Sequence, residues 1–389
     1  MRVLQLLPAL HCGGVERGTV EIDAALGPSR SLVASSGGPL TNLLCGLHLH
    51  WPTLRWRDPL SVLLINPLLL WLAVRRHDIT IVHARSRCLA LSARIALLFA
   101  PGVRLVATWH GFHTATSWWR RAFNGLLLGA DRLILPSECV RRHVARLYPR
   151  APTDGWTVVP RGAAPEHFAP PPPPSSSPTP SSPPPVALLL GRVSRSKGQD
   201  LFVAALARLR AGGDAVDGRI VGVDARKRPG RYHRALAASA AAAGNVRLLP
   251  LVGAADVGAA YAAAAVVVMP SRRPEAFGRV LLEAVAARRL VVAFHHGAAG
   301  EVAAALWRHA GGGPMRRVRP GVALVGSVYL VAPLDVGALA AAIGDALRME
   351  NDEREERTGR AQAAAKACFP AEAFAAAVLE TYREVGGGG

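Results

Sequence analysis

The sequence predicts an α/β protein of two consecutive doubly wound units, each a parallel sheet covered by helices on both faces. Two observations carry this. Short β-rich runs alternate with longer helical patterns from Arg2 to Val159, and the alternation restarts at Val186 after a Pro- and Ser-rich interruption. The length of 389 residues suits two cores, since one domain usually takes about 100–200 residues.

In chain order, VLQLL opens the first unit and a helical pattern follows over 14–26. SLVAS (31–35) is the next strand, with a helix expected after it. ITIVH (79–83) leads to a helix over 88–99, RLVAT (104–108) is a strand, RLILP (132–136) leads to a helix over 137–147, and WTVV (156–159) closes the unit. Runs this apolar suit strands buried on both faces. The segment APPPPPSSSPTPSSPPP (169–185) can form neither helix nor strand, because proline lacks the amide donor and fixes its φ. It reads as a linker. Beyond it come VALLL (186–190), a helix near 199–211, RIVGV (219–223), a helix around 231–243, VRLLP, AVVVMP (265–270), a helix from about 279, and LVVAF (290–294). The expected division is residues 1–160 for the first unit, 161–185 for the linker, 186–368 for the second unit, and 369–389 for a terminal helix packing back on the first.

Residues 59–74, PLSVLLINPLLLWLAV, are almost uncharged. The run is shorter than the ~20 residues that cross a bilayer, and Asn66-Pro67 has the form of an N-cap and first helical residue. A core helix is the favoured expectation, an interfacial one the other.

The formal net charge of +19 rests on arginine. Residues 1–160 hold 18 Arg, no Lys and 8 Asp or Glu, a surplus of +10. Such a field attracts nucleic acid, an anionic bilayer or phosphorylated glycans alike. Neither a helix-turn-helix nor an aromatic RNA-binding signature is present, so nucleic acid is not expected as a partner. The five scattered cysteines fit neither a disulfide framework nor a metal cluster. Pro8 and Gly13-Gly14 interrupt the apolar opening MRVLQLLPAL. Together these point to a reducing, cytoplasmic setting.

The segment with most chemistry is PSRRPEAFGRVLLEA (270–284), which runs from a strand end through a loop into a helix starting near Gly278. Ligands of open α/β sheets collect at such carboxyl ends, and a helix N-terminus is a natural seat for a diphosphate. Glu275 in the loop and Glu283 about one turn inside would be repelled by phosphates unless each holds hydroxyl groups, which a nucleotide sugar carries on both sides of its diphosphate. A dipole-complementing Glu275 and a solvent-facing Glu283 are the competing readings. In GRVSRSKGQD (191–200), Arg192 and Lys197 occupy the loop after the second unit's first strand, where a fork and a mobile point charge could neutralise a departing diphosphate; taken alone, the segment is better read as a solvated basic loop. Gly13 and Gly14 follow the first strand and allow close backbone approach, though a plain turn needs them too. His110, in TWHGF, ends strand 104–108. No DxD pair, HExxH, Cys cluster, GxGxxG or full Walker loop occurs, so metal-dependent, NAD and ATP chemistry lose support.

These residues resemble the retaining family 4 glycosyltransferases (glycosyl transferases group 1) over nearly the whole chain. The markers are Gly-Gly-Val-Glu-Arg-Gly (13–18), Val-His-Ala-Arg-Ser-Arg (82–87), Trp-His-Gly (109–111), Val-Pro-Arg-Gly (159–162), Gly-Arg-x4-Lys-Gly (191–198) and Glu-x7-Glu (275–283). The resemblance implies the GT-B fold, two facing Rossmann-like domains with a cleft between them, and transfer of a hexose-type sugar from a nucleotide diphosphate sugar with retained configuration and no metal or other cofactor. It assigns Arg192 and Lys197 to the donor diphosphate, Glu275 to the donor sugar hydroxyls beside the backbone of Phe277 and Gly278, and Glu283 to the ribose. It places His110 near the donor sugar and Gly13-Gly14 over the donor phosphates. Front-face substitution would then need no protein nucleophile. The Pro/Ser linker and the stretch WRHAGGGPMRRVRPG within 307–329 depart from the family pattern.

The Arg-rich first unit and Ser117-Trp-Trp-Arg-Arg121 suggest an anionic glycan or lipid-linked acceptor, such as lipopolysaccharide core, met on the cytoplasmic membrane face. A GT-B epimerase or phosphorylase, or a polyanion-binding protein without activity, remains the alternative.

Overall fold

A computed structural model describes residues 1–11, 13–55, 58–168, 183–225, 228–313 and 315–387. Most of the expected Pro/Ser linker, residues 169–182, lies outside the described residues. The chain forms two compact units. The first comprises Met1–Arg161 and Ala371–Gly389, the second Gly162–Pro370.

In the first unit the elements run β1 (Val3–Leu6), α1 (Gly14–Leu26), β2 (Ser31–Ser35), β3 (Leu47–His50), α2 (Asn66–Arg76), β4 (Ile81–Ala84), α3 (Arg87–Leu97), β5 (Arg104–Thr108), α4 (Trp118–Gly125), β6 (Arg132–Leu135), α5 (Glu138–Leu147) and β7 (Trp156–Val158). The sheet order is β3-β2-β1-β4-β5-β6-β7, with every pairing parallel. Order reverses between β1 and β4, so their carboxyl ends flank the switch point of this sheet. Ser86 and Ser137 cap α3 and α5 by accepting from the amides of Leu89 and Val140, which starts each helix immediately after its strand turns.

Three expectations for this unit are corrected. No α-helix follows β2; Pro39–Leu43 is a single 3-10 turn, and LHLH (47–50) is an unexpected edge strand. Asn66 does not cap a helix. A π-type turn over Ser61–Ile65 runs straight into α2, Asn66 is helical at φ −65°, and its buried amide oxygen accepts from the Thr53 hydroxyl at 2.6 Å. Pro67 carries no amide to continue the ladder, and the looser turn before it absorbs that loss. Nor is 59–74 a wholly buried core helix. Leu70, Ala73 and Val74 are buried, whereas Leu60, Leu64, Leu68 and Leu72 are exposed.

The second unit holds β8 (Val186–Leu190), α6 (Gln199–Ala211), β9 (Asp217–Val223), α7 (Arg231–Ala243), β10 (Val246–Pro250), α8 (Ala254–Ala262), β11 (Val266–Met269), α9 (Arg279–Ala286), β12 (Leu290–Phe294) and α10 (Ala299–His309). It continues with β13 (Arg316–Arg319), β14 (Val322–Val325), β15 (Val328–Val331), α11 (Val336–Arg348) and α12 (Asn351–Cys368). Its sheet order is β10-β9-β8-β11-β12-β15-β14-β13. The switch point lies between β8 and β11. Part of the atypical stretch 307–329 forms β13 and β14, an antiparallel margin joined to β15 through Gly326-Ser327, where Gly326 takes the left-handed φ of 59° that a tight hairpin requires. Apolar layers on both faces of this sheet make the core, with Val266, Val268, Val291 and Leu330 among its buried residues.

The last helix, α13 (Ala371–Gly386), belongs to the first unit and packs on α1 beside β5 and β6. Phe374, Val378 and Tyr382 fill that interface, and the Tyr382 hydroxyl bonds to His83 Nδ1 at 2.6 Å.

Candidate active site

In the second unit the loops leaving β8 and β11 lie side by side because those strands are neighbours. Gly198, at φ 69°, permits this: a side-chain carbon there would stand 1.9 Å from the Pro270 carbonyl oxygen. The Arg272 amide donates to the Ser196 carbonyl at 2.8 Å, and Arg272 also forms an ion pair with Asp200. Gln199, fully buried, holds the β8 loop from beneath, donating to the Arg192 carbonyl at 2.9 Å.

This zipper delivers Lys197 to Glu275. The ammonium donates to Glu275 Oε1 at 2.7 Å, and the Ser271 hydroxyl donates to the same oxygen at 2.6 Å. Burial raises the Glu275 proton affinity, but the Lys197 ammonium and the Ser271 hydroxyl outweigh it, and the carboxyl titrates below its ordinary value. Glu275 is therefore an ion at neutral pH, and its role as a mere dipole-complementing charge gives way to a specific pair. Gly297, at φ 64°, packs its backbone against Glu275, and the Ala298 amide donates to the Glu275 carbonyl at 2.9 Å. The position of the carboxylate is thus set from both sides.

Arg192 is exposed, and its guanidinium has no ion pair or hydrogen bond among the described residues. Gly278 caps α9 with a left-handed backbone at φ 89°, and no side chain caps or acidifies the first turn. The helix thus keeps its partial positive N-terminal charge for an anion. Phe277 is buried against Phe369, with ring centroids 5.8 Å apart, so only its backbone can meet a ligand.

Glu283 is not solvent-facing. It is 6 % exposed, accepts from the Tyr261 hydroxyl at 2.9 Å and pairs with Arg279 at 3.3 Å. Two carboxylate oxygens offer about four acceptor positions, so these contacts orient the group while leaving lone pairs for a hydroxyl.

His296 was not singled out by the sequence. Its Nε2–H donates to the Ser271 carbonyl at 2.6 Å, which leaves Nδ1 as a buried acceptor with no partner among the described residues. The available signal was its place, two residues beyond β12, next to the strand that carries the Glu275 loop.

The first unit gathers its own markers at the carboxyl end of its sheet. Arg85 donates to the Val15 carbonyl and the Thr19 hydroxyl, both at 3.0 Å, tying β4 to α1. Gly18 makes room for Arg161, since a methyl there would sit 2.5 Å from a guanidinium nitrogen. Arg161 in turn stacks over Phe374 at 4.6 Å and donates to His110 Nδ1 at 3.4 Å. The imidazole therefore carries its proton on Nε2, a buried atom with no partner. Burial, then the charges of Arg161 and Arg85, hold His110 neutral well below its usual value. Gly13 caps α1 in an ordinary extended conformation at φ −179°, and Gly14 is its first residue. Neither needs glycine for its dihedrals as a turn would; the Glu16 carboxylate lies against Gly13, where a side-chain carbon would stand 2.4 Å from Oε2.

Among the described residues, no group of three or more His, Cys, Asp or Glu could hold a metal ion.

No curated protein sequence matches the chain. The family model for Glycosyltransferase Family 4 matches residues 12–167, and that for Glycosyl transferases group 1 matches residues 184–349. In fold the chain is similar to a glycosyltransferase from Rickettsia africae, with a TM-score of 0.77 and 23% identity over 99% of this chain and 98% of that one. It is also similar to Anabaena HepE in complex with UDP-glucose, with a TM-score of 0.78 and 20% identity over 99% and 100% of the two chains. A third likeness is to the lipopolysaccharide outer core galactosyltransferase WaaB, with a TM-score of 0.65 and 14% identity over 99% of both chains. With one family model on each unit and two Rossmann-like sheets of the GT-B type, the chain belongs to the group 1, family 4 glycosyltransferases.

Proposed function

We propose that the chain transfers a hexose-type sugar, with retention of configuration and without a metal ion, from a nucleotide diphosphate sugar to an anionic glycan or lipid-linked acceptor of the cell envelope. The observation that carries this reading is the Lys197–Glu275 pair at the switch point of the second unit, together with the start of α9, which no side chain caps, and Arg192, which has no partner among the described residues. Arg192, Lys197 and the α9 amides are the cationic groups for the diphosphate. As the glycosidic bond breaks, negative charge grows on the leaving oxygen, and fixed positive groups at that point lower the barrier. Glu275, fixed as a carboxylate, accepts hydroxyl hydrogens of the donor sugar, and the bare Nδ1 of His296 offers one further acceptor. In the first unit, His110 presents an Nε2–H donor to a substrate oxygen. With no general base required of the protein, the leaving phosphate takes the acceptor proton, which keeps both substrates on one face of the sugar.

UDP-glucose and a lipopolysaccharide-type acceptor are the first substrates to try, on the strength of what HepE is bound to and what WaaB is called. The test is nucleotide diphosphate release from a panel of UDP-, GDP- and ADP-sugars, with and without EDTA. One donor turned over by the wild type, with the product α-linked and Glu275→Ala inactive, supports the reading. Sugar interconversion without an acceptor would replace transfer by epimerisation, and no binding of any nucleotide sugar would end the enzymatic reading.

A further inference from the structure

The helix α2 carries a ridge that the fold of the first unit leaves uncovered. Leu64, Leu68 and Leu72 recur every four residues and are 63%, 57% and 48% exposed. Leu60 and Leu63 extend the ridge across the preceding π-type turn. At its other end, Trp71 Nε1–H donates to the Phe99 carbonyl at 3.1 Å, which brings the exposed tip of α3, Leu98 and Phe99, alongside. Most exposed leucines on a protein surface stand alone; a contiguous row on neighbouring helices marks a surface built to be covered. The opposite side of α2, with Leu70, Ala73 and Val74, already packs inward, so the exposed row is no remnant of a core.

The charge around the ridge says what covers it. Arg75 and Arg76 end α2, are exposed, and pair with no carboxylate among the described residues; Arg75 lies over the Trp71 ring at 5.7 Å. Asp58, at the far end of the row, accepts from the Ser61 amide at 2.8 Å, and exposed Asp78, two residues beyond Arg76, forms no ion pair with either arginine among the described residues. Further along the same helical layer, α4 exposes Trp118 and Trp119 beside Arg120 and Arg121. Two copies of this chain apposed through the ridge would bring their uncompensated arginines together. An anionic lipid surface instead accepts leucine side chains below its headgroups and pairs those headgroups with arginine. From Ser61 to Arg76 the helix runs about 24 Å, short of the roughly 30 Å hydrocarbon layer, and no described helix is long and apolar enough to cross a membrane. It would lie in the interface.

We infer that the leucine ridge of α2, with the tip of α3 and the flanking Arg75 and Arg76, seats the first unit on an anionic lipid bilayer. This deepens the acceptor side of the proposed function and moves the expected contact from Ser117–Arg121 to α2 as the principal surface. It rests on that reading only for its purpose, since lipid binding and sugar transfer are measured apart.

The test is co-sedimentation of the full chain with vesicles of phosphatidylglycerol in phosphatidylcholine, and with phosphatidylcholine alone. Binding is expected to the anionic vesicles only, weakened at least roughly tenfold by Leu64→Gln/Leu68→Gln and likewise by Arg75→Gln/Arg76→Gln. The melting temperatures of both double variants should match wild type, because the side chains are exposed. Donor hydrolysis in lipid-free buffer should be unchanged in both, so failure of the docking surface and failure of the transferase reading give different results. Wild-type affinity in the leucine variant would overturn the inference, as would equal binding to neutral vesicles. A lipid-independent dimer in sedimentation velocity, dispersed by Leu64→Gln/Leu68→Gln, would assign the ridge to a second copy instead.

Discussion

Lys197 Nζ donates to Glu275 Oε1 at 2.7 Å, joining two loops whose residues stand 78 positions apart. Each group answers a different need: the ammonium neutralises phosphate, and the carboxylate orients hydroxyls. Glu275→Gln removes the charge that holds Lys197 while keeping the shape, and Lys197→Met removes the cation. Both should lower kcat by roughly 10²–10³-fold, the usual loss when one preorganised charge partner is taken from an active site. Single-turnover assays of nucleotide diphosphate release measure it. A loss confined to KM in both variants would reduce the pair to a ground-state contact.

Arg192 has no partner to lose, so removing it should leave stability untouched. Arg192→Ala is expected to keep the wild-type melting temperature and lose roughly ten- to hundredfold in kcat/KM. Arg192→Lys should recover only part of this, because lysine replaces a planar fork by a point charge. Full recovery would mean that only the net charge counts.

Much of the architecture was legible because buried parallel strands write themselves as unbroken apolar runs such as VALLL and LVVAF. Of the strands that were missed, β14 (VALV) and β15 (VYLV) do carry that signature, beyond LVVAF where the strand reading stopped, whereas β3 and β13 lack it. β3 is four half-exposed residues at a sheet edge, and β13 is RRVR on the opposite unit's margin. The α2 ridge was misread for a related reason: a leucine run states hydrophobicity but not which of its faces the fold will cover. Among site residues, Glu275, Lys197 and Arg192 were legible as loop positions after strands. That Lys197 meets Glu275 depends on β8 neighbouring β11, and strand order is not a local property of sequence. His296 was hidden by the same rule, and Arg161, although part of the Val-Pro-Arg-Gly marker, was given no role, since each acquires its surroundings from elements distant in the chain.

The buried histidines give the first unit a pH-dependent stability. His83 lies between the Tyr382 and Thr108 hydroxyls at 2.6 and 2.7 Å, and burial, then Arg85 and Arg161, push its proton affinity well below the usual 6.5. His110 is depressed in the same direction. Below 6.5 the unfolded chain takes protons that the folded chain refuses. Their contribution is therefore full above that pH and is lost as pH falls toward the depressed folded values, by up to about 1.4 kcal/mol per pH unit for each group. Thermal melts between about pH 7.5 and 5 should show the loss, and His83→Gln should flatten the slope. An unchanged slope in that variant would place the acid sensitivity elsewhere.

The bare Nδ1 of His296 is a buried acceptor near Glu275 with no partner among the described residues. If a donor hydroxyl fills it, His296→Phe should raise KM for the sugar nucleotide about tenfold, the scale of one hydrogen bond. The free nucleoside diphosphate, which lacks the sugar, should bind as before. Isothermal titration with both ligands separates the cases, and equal weakening of both would make His296 a support for the Ser271 loop alone.

Glu283 poses a different problem, because a buried carboxylate already bonded to Tyr261 and paired with Arg279 could be purely structural. The two roles separate through its partners. Tyr261→Phe removes one neutral bond to the carboxylate and should cost about 1 kcal/mol of stability. It should leave ribose recognition intact, since the freed lone pair only adds capacity. Glu283→Gln keeps an acceptor for Tyr261 but removes the charge that pairs with Arg279, and should cost more stability than Tyr261→Phe. If Glu283 also holds the ribose, the folded fraction of Glu283→Gln should bind the 2′-deoxy nucleotide and the ribonucleotide equally, whereas wild type and Tyr261→Phe prefer the ribonucleotide by about tenfold or more. A preference that survives in Glu283→Gln would assign the ribose contact to another group and leave Glu283 as the buried anchor of α9.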